Sequence, residues 1–553
     1  MRMVPLLLAS CGFVCTWALG QAPAPNVATG DAASDKCGKL ASLTLPNATI
    51  TSAEAYAAGT FKGPPQAITG ADLSGFYSKL PAFCRVVAKA TPTADSDITI
   101  EVWMPLSGWN GRLQGLGNGG FAGLIDNAEL GAAMSKGYAS TATDAGHTGS
   151  PIDAAWALGH SEKVVDFGHR AIHEMTRVAK LVVQQFYGSA PQHSYFAGCS
   201  DGGREALMEA QRYPADYDGI LAGAPANYWT ALLSLGAADT QALTATPASF
   251  IPAAKIPAIA GAVNAECDKL DGVADGILDD PRQCKFDPAT IQCKEGEDTD
   301  KCLTAAQVTA LKYIYGGLKD SKGHVLFPGY LPGAEEGAGG WGLWITGPSP
   351  GRSLLAAFEH GYFSGMVYEN KDWDLKSFTV DSAMKDATAK TAAALNATDP
   401  DLSPFRARGG KLILYHGWND PAIPAVNTVN YYGEVVGKLS QSNADAFVRL
   451  YMVPGMQHCN GGPGPDAFGQ SSMWVDDPQR NARTALVDWV EKGTAPGPII
   501  ASKTAGGRPG APVDAAAPPT MTRPLCPYPQ SAQYKGSGDS NRAENFVCGE
   551  AKK

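Results

Sequence analysis

The sequence predicts an α/β fold, a largely parallel sheet whose two halves are separated by a large insertion. Three observations lead there. Strand-like and helix-like periodicities alternate between about residues 164 and 222, the pattern that crossover helices on a parallel sheet produce. Sheet-like runs return only at 411–415 and 447–453. In between, residues 226–400 are richer in turns, glycine and cysteine and carry only short periodic segments. At 553 residues the chain is also too long for one hydrophobic core, so a main domain with an insertion is expected.

Each element follows in chain order. Residues 1–20 read as an export signal: Arg2 supplies the positive end, an apolar run extends from Val4 to about Leu19, and Ala18 and Gly20 are small residues ahead of Gln21. Leu8-Ala9-Ser10-Cys11 also permits a lipoprotein reading, although few apolar residues precede Cys11. Residues 21–80 are rich in Ala, Pro and Thr and read as irregular. Residues 98–104 alternate as a strand should, and the glycine-rich 115–120 reads as a loop. Val165, Ile172, Met175, Val178, Leu181 and Val182 mark a helix over 164–186. A strand at 194–197, a helix at 203–212 and a buried strand at 219–222 complete the alternation. The Ala/Pro/Gly-rich 505–520 reads as a flexible connection before a cysteine-tied tail. The expected organisation is a signal at 1–20, the first part of the core at 21–225, an inserted lid at 226–400, and the second part of the core with its tail at 401–553.

Composition narrows the function classes. With 44% hydrophobic and 18% charged residues the chain is an ordinary globular protein. A formal net charge of −10 disfavours nucleic acid and anionic membrane surfaces as partners. Beyond the signal no segment is apolar for long enough to span a bilayer, so the mature chain is expected to be soluble, secreted or periplasmic. Two of the twelve cysteines, Cys11 and Cys15, fall in the signal. The other ten are Cys37, Cys84, Cys199, Cys267, Cys284, Cys293, Cys302, Cys459, Cys526 and Cys548. An even count after an export signal favours disulfides, and no C-x-x-C pair argues for metal; spacing alone does not give the pairing.

Gly198-Cys199-Ser200-Asp201-Gly202 matches the nucleophile elbow G-x-S-x-G, between a predicted strand and a predicted helix, as that motif requires. A sharp turn lifts the serine hydroxyl off the strand end, and the following helix aims the Asp201 N–H at a developing oxyanion. The motif places the sheet among the α/β-hydrolases, where acid and base follow the nucleophile in that order. Asp420 follows the predicted strand at 411–415, and His458 follows that at 447–453. Both stand at carboxyl ends of strands, where such sheets build their sites. His416 precedes the acid and reads as a satisfied pocket or core residue; His147, His160, His169 and His173 precede the nucleophile. The second oxyanion donor is expected from Gly117-Asn118-Gly119-Gly120, with Gly119 favoured and Gly120 close behind.

Cys199 directly precedes the nucleophile and Cys459 directly follows the base. With Gly223-Ala224-Pro225-Ala226-Asn227, Tyr415-His416-Gly417-Trp418-Asn419-Asp420 and Arg523-Pro524-Leu525-Cys526-Pro527-Tyr528-Pro529, this pairing resembles the tannase and feruloyl esterase family over nearly the whole mature chain. The resemblance implies an α/β-hydrolase core with a lid inserted between nucleophile and acid. It also implies a disulfide between Cys199 and Cys459, with Cys37–Cys84, Cys267–Cys284, Cys293–Cys302 and Cys526–Cys548 beside it.

Cys267-Asp268-Lys269-Leu270-Asp271-Gly272-Val273-Ala274-Asp275-Gly276-Ile277 carries three carboxylates with glycines between them. Hard oxygen donors at this density suit Ca²⁺, and a solvated acidic loop is the alternative. The resemblance favours a structural calcium held by the side chains of Asp268, Asp271 and Asp275 and the carbonyls of Val273 and Ile277. It also implies aromatic acyl esters as substrates, free or attached to plant cell-wall polysaccharide or tannin. Feruloyl esters come first, galloyl esters or mono(hydroxyethyl) terephthalate next. Trp341, Trp344, Phe358, Tyr362 and Phe363 offer rings to pack such a substrate, and Arg352 a partner for a carboxylate, though lid core and an exposed arginine are the plainer readings. A catalytically inactive binder of phenolics or polysaccharide is the alternative from a different class.

Overall fold

The computed structural model describes residues 31–66, 70–471, 476–504 and 518–550. Residues 1–20, read as an export signal, with Cys11 and Cys15, and most of the connection at 505–520 lie outside the described residues.

Nine strands form the main sheet: β1 (Ala48–Tyr56), β2 (Phe83–Ala90), β3 (Ile98–Pro105), β4 (Arg112–Leu116), β5 (Ala139–Thr143), β6 (His193–Cys199), β7 (Gly219–Gly223), β8 (Lys411–Gly417) and β9 (Val448–Val453). Their order is β1-β2-β3-β5-β4-β6-β7-β8-β9. The first three pairings are antiparallel and those from β5 to β9 parallel. Every residue of β7 is buried, and all of β8 after Lys411. Strands covered on both faces read as continuous apolar runs, which is why the sequence showed them. Helices α1 (Ala171–Tyr187), α2 (Asp201–Arg212), α3 (Trp229–Thr244), α4 (Leu354–Gly361), α5 (Val380–Leu395) and α6 (Ala425–Leu439) matter most for the site. This is the α/β-hydrolase architecture expected.

Several local expectations are corrected. The stretch read as irregular contains β1, an edge strand with Ile50 its one buried residue, so no apolar alternation betrays it. Gly115 and Leu116, read as loop, end β4; a Cβ on Gly115 would lie 2.3 Å from the Tyr217 hydroxyl, so this glycine serves packing rather than a turn. The helix expected over 164–186 is three segments, 161–165, a π-helical 166–170, and α1. The insertion carries long helices where only short periodic segments were read. In α3 nearly every residue is buried, which erases amphipathic contrast; in α5 the buried stripe is Ala383, Ala387, Thr391 and Leu395, mostly too small to register.

Residues 224–410 leave the sheet between β7 and β8. One apolar cluster runs through both parts, joining Phe121 and Phe167 to Trp229, Leu355 and Tyr362. The insertion therefore packs on the sheet's carboxyl end through a shared core. All five disulfides implied by the resemblance are present, including Cys199–Cys459 with an S–S distance of 2.02 Å.

Candidate active site

Ser200 sits between the end of β6 and the start of α2 with φ 66° and ψ −120°, left-handed backbone that a non-glycine residue adopts only when its surroundings enforce it. The enforcement is visible. The Ser200 N–H donates to the Gly223 carbonyl at 3.0 Å, and the Ser200 carbonyl accepts from Ala226 at 3.1 Å. A Cβ on Gly198 would stand 2.5 Å from the Gly202 carbonyl oxygen, so the turn closes only with glycine there. Asp201 begins α2, where the first N–H groups have no acceptor within the helix and face outward.

Asp420 and His458 lie side by side. His458 Nδ1 donates to Asp420 Oδ2 at 2.8 Å, which leaves Nε2 unprotonated as the acceptor a serine hydroxyl needs. Asp420 is fully buried and takes four donors: Oδ1 accepts from the N–H groups of Ala422 and Ile423 at 2.8 and 2.9 Å, and Oδ2 also from His416 Nε2 at 3.1 Å. Burial alone would raise its pKa; the His458 charge and the hydrogen bonds of both histidines outweigh it and hold the carboxyl well below the ordinary range. His416 is buried and satisfied, as read, but it also orients the acid, a role the sequence did not reveal. Its Nδ1 pairs with Thr428 Oγ1 on α6 at 2.7 Å, which fixes the tautomer that donates from Nε2. Among the described residues Ser200 Oγ makes no hydrogen bond to His458. The Cys199–Cys459 disulfide brings their chain neighbours within 6.0 Å Cα to Cα, and such contacts commonly tighten only when substrate arrives.

Gly119 and Gly120 are distinguished by their surroundings. A Cβ on Gly119 would meet nothing within 4 Å, whereas one on Gly120 would collide with the Pro151 carbonyl at 2.3 Å. Gly119 lines a cavity of about 210 Å³ together with Cys199, Cys459 and Asn460. Behind the elbow, Arg204 is fully buried; it pairs with Asp201 at 2.7 Å and donates to the carbonyls of Phe167 and Gly168 in the π-helical segment. The helix predicted at 203–212 begins two residues too late to put Asp201 and Arg204 on one helix face, so nothing in the sequence pointed to this pair.

The insertion's aromatic residues divide. Trp341, Tyr362 and Phe363 are fully buried in its core. Trp344 and Phe358 are partly exposed and stack on each other; Trp344 stands edge-on to His458 at 5.0 Å between ring centroids, and Phe358 meets Phe121 at 5.3 Å. Arg352 is exposed and lines a separate cavity of about 650 Å³ with Ile152, Leu343 and His360; neither Ser200 nor His458 borders it.

In the acidic loop, Asp268 Oδ1 accepts the Gly276 N–H, Asp271 those of Val273 and Asp279, and Asp275 that of Ile277. Arg523 pairs with Asp275 at 2.7 Å and with Asp279 at 3.1 Å. Burial pushes Asp271 up to about 6, above any effect of its backbone donors. The donors are all hard oxygens, which suits calcium chemically. Among the described residues, however, no three His, Cys, Asp or Glu side chains converge closely enough to hold a metal ion.

Three comparisons bear on this geometry. Residues 84–549 match the family model described as tannase and feruloyl esterase. An uncharacterized esterase of Xanthomonas campestris is 40% identical over 94% of this chain and 92% of its own length. A probable feruloyl esterase B of Aspergillus clavatus is 34% identical over 98% and 100%, and the mono(2-hydroxyethyl) terephthalate hydrolase of Piscinibacter sakaiensis 36% identical over 85% of each. The crystal structure of feruloyl esterase B from Aspergillus oryzae superposes with a TM-score of 0.83 at 30% identity, covering 93% of this chain and 100% of that one. The chain belongs to the tannase and feruloyl esterase family of ester hydrolases.

Proposed function

We propose that the chain is an exported serine esterase that cleaves esters of aromatic acids through an acyl-enzyme on Ser200, with feruloyl and related hydroxycinnamoyl esters preferred. The observation that carries this reading is the His458–Asp420 pair tied by the Cys199–Cys459 disulfide to a strained serine. His458 takes the Ser200 proton as Oγ attacks the ester carbonyl. Asp420 holds the imidazole tautomer and stabilises the imidazolium. The N–H groups of Asp201 and Gly119 receive the oxyanion, and His458 returns the proton to the leaving alcohol before water repeats the cycle. Trp344 and Phe358 supply the wall against which an aromatic acyl group packs. A binder with no activity would have no need of the complete set of serine, acid and base. Five disulfides support an oxidising compartment outside the cytoplasm.

A structural calcium in the loop from Asp268 to Ile277 is part of this proposal, supported by the family resemblance and by the hard oxygen donors of Asp268, Asp271 and Asp275 within one loop. Arsenazo titration and metal analysis of chelated protein test it; full retention of melting temperature with no metal released would remove it. The substrate is tested by hydrolysis of methyl ferulate, methyl gallate and mono(hydroxyethyl) terephthalate by wild type and Ser200→Ala. Turnover of methyl ferulate above the others, lost in the variant, is expected. Faster turnover of either other ester would reassign the acyl group, and turnover that survives in Ser200→Ala would reject the site.

A further inference from the structure

Glu205 is fully buried on α2, and its Oε2 accepts the Asn118 backbone N–H at 2.8 Å. Asn118 is the residue before Gly119. Its carbonyl accepts the N–H of Gly202, also on α2, at 2.8 Å. Its side-chain amide donates to the Thr143 carbonyl at 2.8 Å at the end of β5. Gly117 seats the loop on the same helix: a Cβ there would stand 2.7 Å from Gly202 Cα and 2.9 Å from Glu205 Oε2. The peptide groups on both sides of Asn118 are therefore anchored to α2, one by a backbone N–H and the other by a side chain.

This matters because the two oxyanion donors come from different places. The Asp201 N–H belongs to α2; the Gly119 N–H belongs to the loop after β4. Both must point at one oxygen, and small errors in donor placement are costly in a preorganised site. We propose that Glu205 is a positioning residue for the oxyanion hole: by holding the Asn118 N–H, its carboxyl fixes the Gly119 N–H in register with the Asp201 N–H on the same helix. The inference rests on the acyl-transfer reading above. Oε1 of Glu205 has no hydrogen-bond partner among the described residues, an arrangement tolerable for a neutral acid and expensive for a carboxylate. Burial, then the neighbouring Asp201, push the group up to about 8 against the opposing pull of Arg204. A neutral acceptor holds the loop without placing negative charge behind the oxyanion.

The test compares Glu205→Gln, which keeps an acceptor, with Glu205→Met and Glu205→Leu, which remove it. For each, kcat and KM are measured on the best ester of the panel, with inhibition by an aryl boronic acid, which forms a tetrahedral adduct on serine, and by the product acid. E205Q is expected to stay within about threefold of wild type throughout. E205M and E205L are expected to lose about ten- to a hundredfold in kcat, less than outright loss of an oxyanion donor. Boronate affinity should fall by the same factor, with KM and product-acid inhibition nearly unchanged. Merely loosened packing would not separate the tetrahedral ligand from the planar one. Unimpaired kcat and boronate affinity in either folded apolar variant, or an E205Q as impaired as they are, would overturn the inference. If neither apolar variant folds, hydrogen exchange in the wild type decides. The Asn118 N–H must exchange as slowly as that of Gly202, and exchange within seconds would overturn the clamp. Activity surviving Ser200→Ala would overturn site and clamp together, whereas an inactive Ser200→Ala beside an unimpaired E205M overturns the clamp alone.

Discussion

The elbow helix α2 and the loop from Asp268 to Asp279 both crowd carboxyl groups into about a dozen residues, and they resolve the crowding in opposite ways. On α2, Asp201, Glu205 and Glu209 are all buried. Arg204 answers Asp201 as an ion pair and Asn118 answers Glu205; burial raises all three acids, Asp201 to about 6, Glu205 to about 8 and Glu209 well above the ordinary range, which keeps Glu205 and Glu209 protonated near neutral pH. In the loop, Asp268, Asp271 and Asp275 are partly exposed and Asp279 is buried, and backbone N–H groups and Arg523 answer them. The helix uses Glu205 as a neutral strut behind the reacting atoms. The loop keeps three of its four carboxyl groups partly exposed. Damage on the elbow side should therefore appear in the chemistry, and damage to the loop in stability.

The largest effect expected lies with the acid opposite the elbow. Asp420→Asn should keep the backbone hydrogen bonds to Oδ1 but place an amide NH2 where Oδ2 accepted from both histidines, which favours the wrong His458 tautomer and lowers kcat about 10⁴-fold with little change in KM. Steady-state kinetics on the best ester measure it, and a loss under tenfold would mean that Asp420 is not the orienting acid. Next comes the covalent tie. Cys199→Ser with Cys459→Ser should cost about 3–4 kcal/mol in unfolding free energy and about a hundredfold in kcat, read by denaturant melts and kinetics. A loss of stability without a loss of kcat would show that packing alone aligns serine and histidine. Chelation probes the loop: it should lower stability by about 3 kcal/mol for a site near saturation, while kcat at 25 °C stays within twofold. A kcat that collapses before the fold does would place the metal in the chemistry and erase the contrast between the two regions.

The last effect concerns pH. The folded-state pKa of Glu205 is raised above its unfolded value, so the stability it contributes is fully present below about pH 4 and is lost as pH rises through about 8. Asp201, Arg204 and Glu209 share the helix and shape this titration. Glu205→Gln cannot ionise, so its melting temperature relative to wild type should rise steadily between pH 5 and pH 8. A constant difference across that range would mean that Glu205 does not titrate upward on folding.

Much of the site was legible because its parts are local. The elbow is five consecutive residues, the acid and base each follow an apolar run, and β7, β8 and β9 are buried on both faces, so the runs themselves are visible. The family resemblance supplied the disulfide pairing, which spacing could not. What stayed hidden depends on tertiary neighbours. His416 reads as one more core histidine until β8 and α6 bring it between Asp420 and Thr428. Glu205 carries no mark in the sequence beyond its place in the predicted helix, and its role appears only when the loop after β4 lies against it. β1 escaped because an edge strand with one buried side chain has no alternation to find, and α5 because alanines carry its buried stripe.

The central claim is that Ser200 Oγ becomes acylated by an aromatic acid. The most direct measurement is intact and peptide mass spectrometry of rapidly quenched turnover with a feruloyl ester whose released alcohol is chromogenic. The account predicts an alcohol burst of one equivalent per chain, a matching feruloyl mass increment on the peptide containing Ser200, and neither in Ser200→Ala. Steady turnover with no burst and no adduct, or an adduct on a different residue, would contradict it.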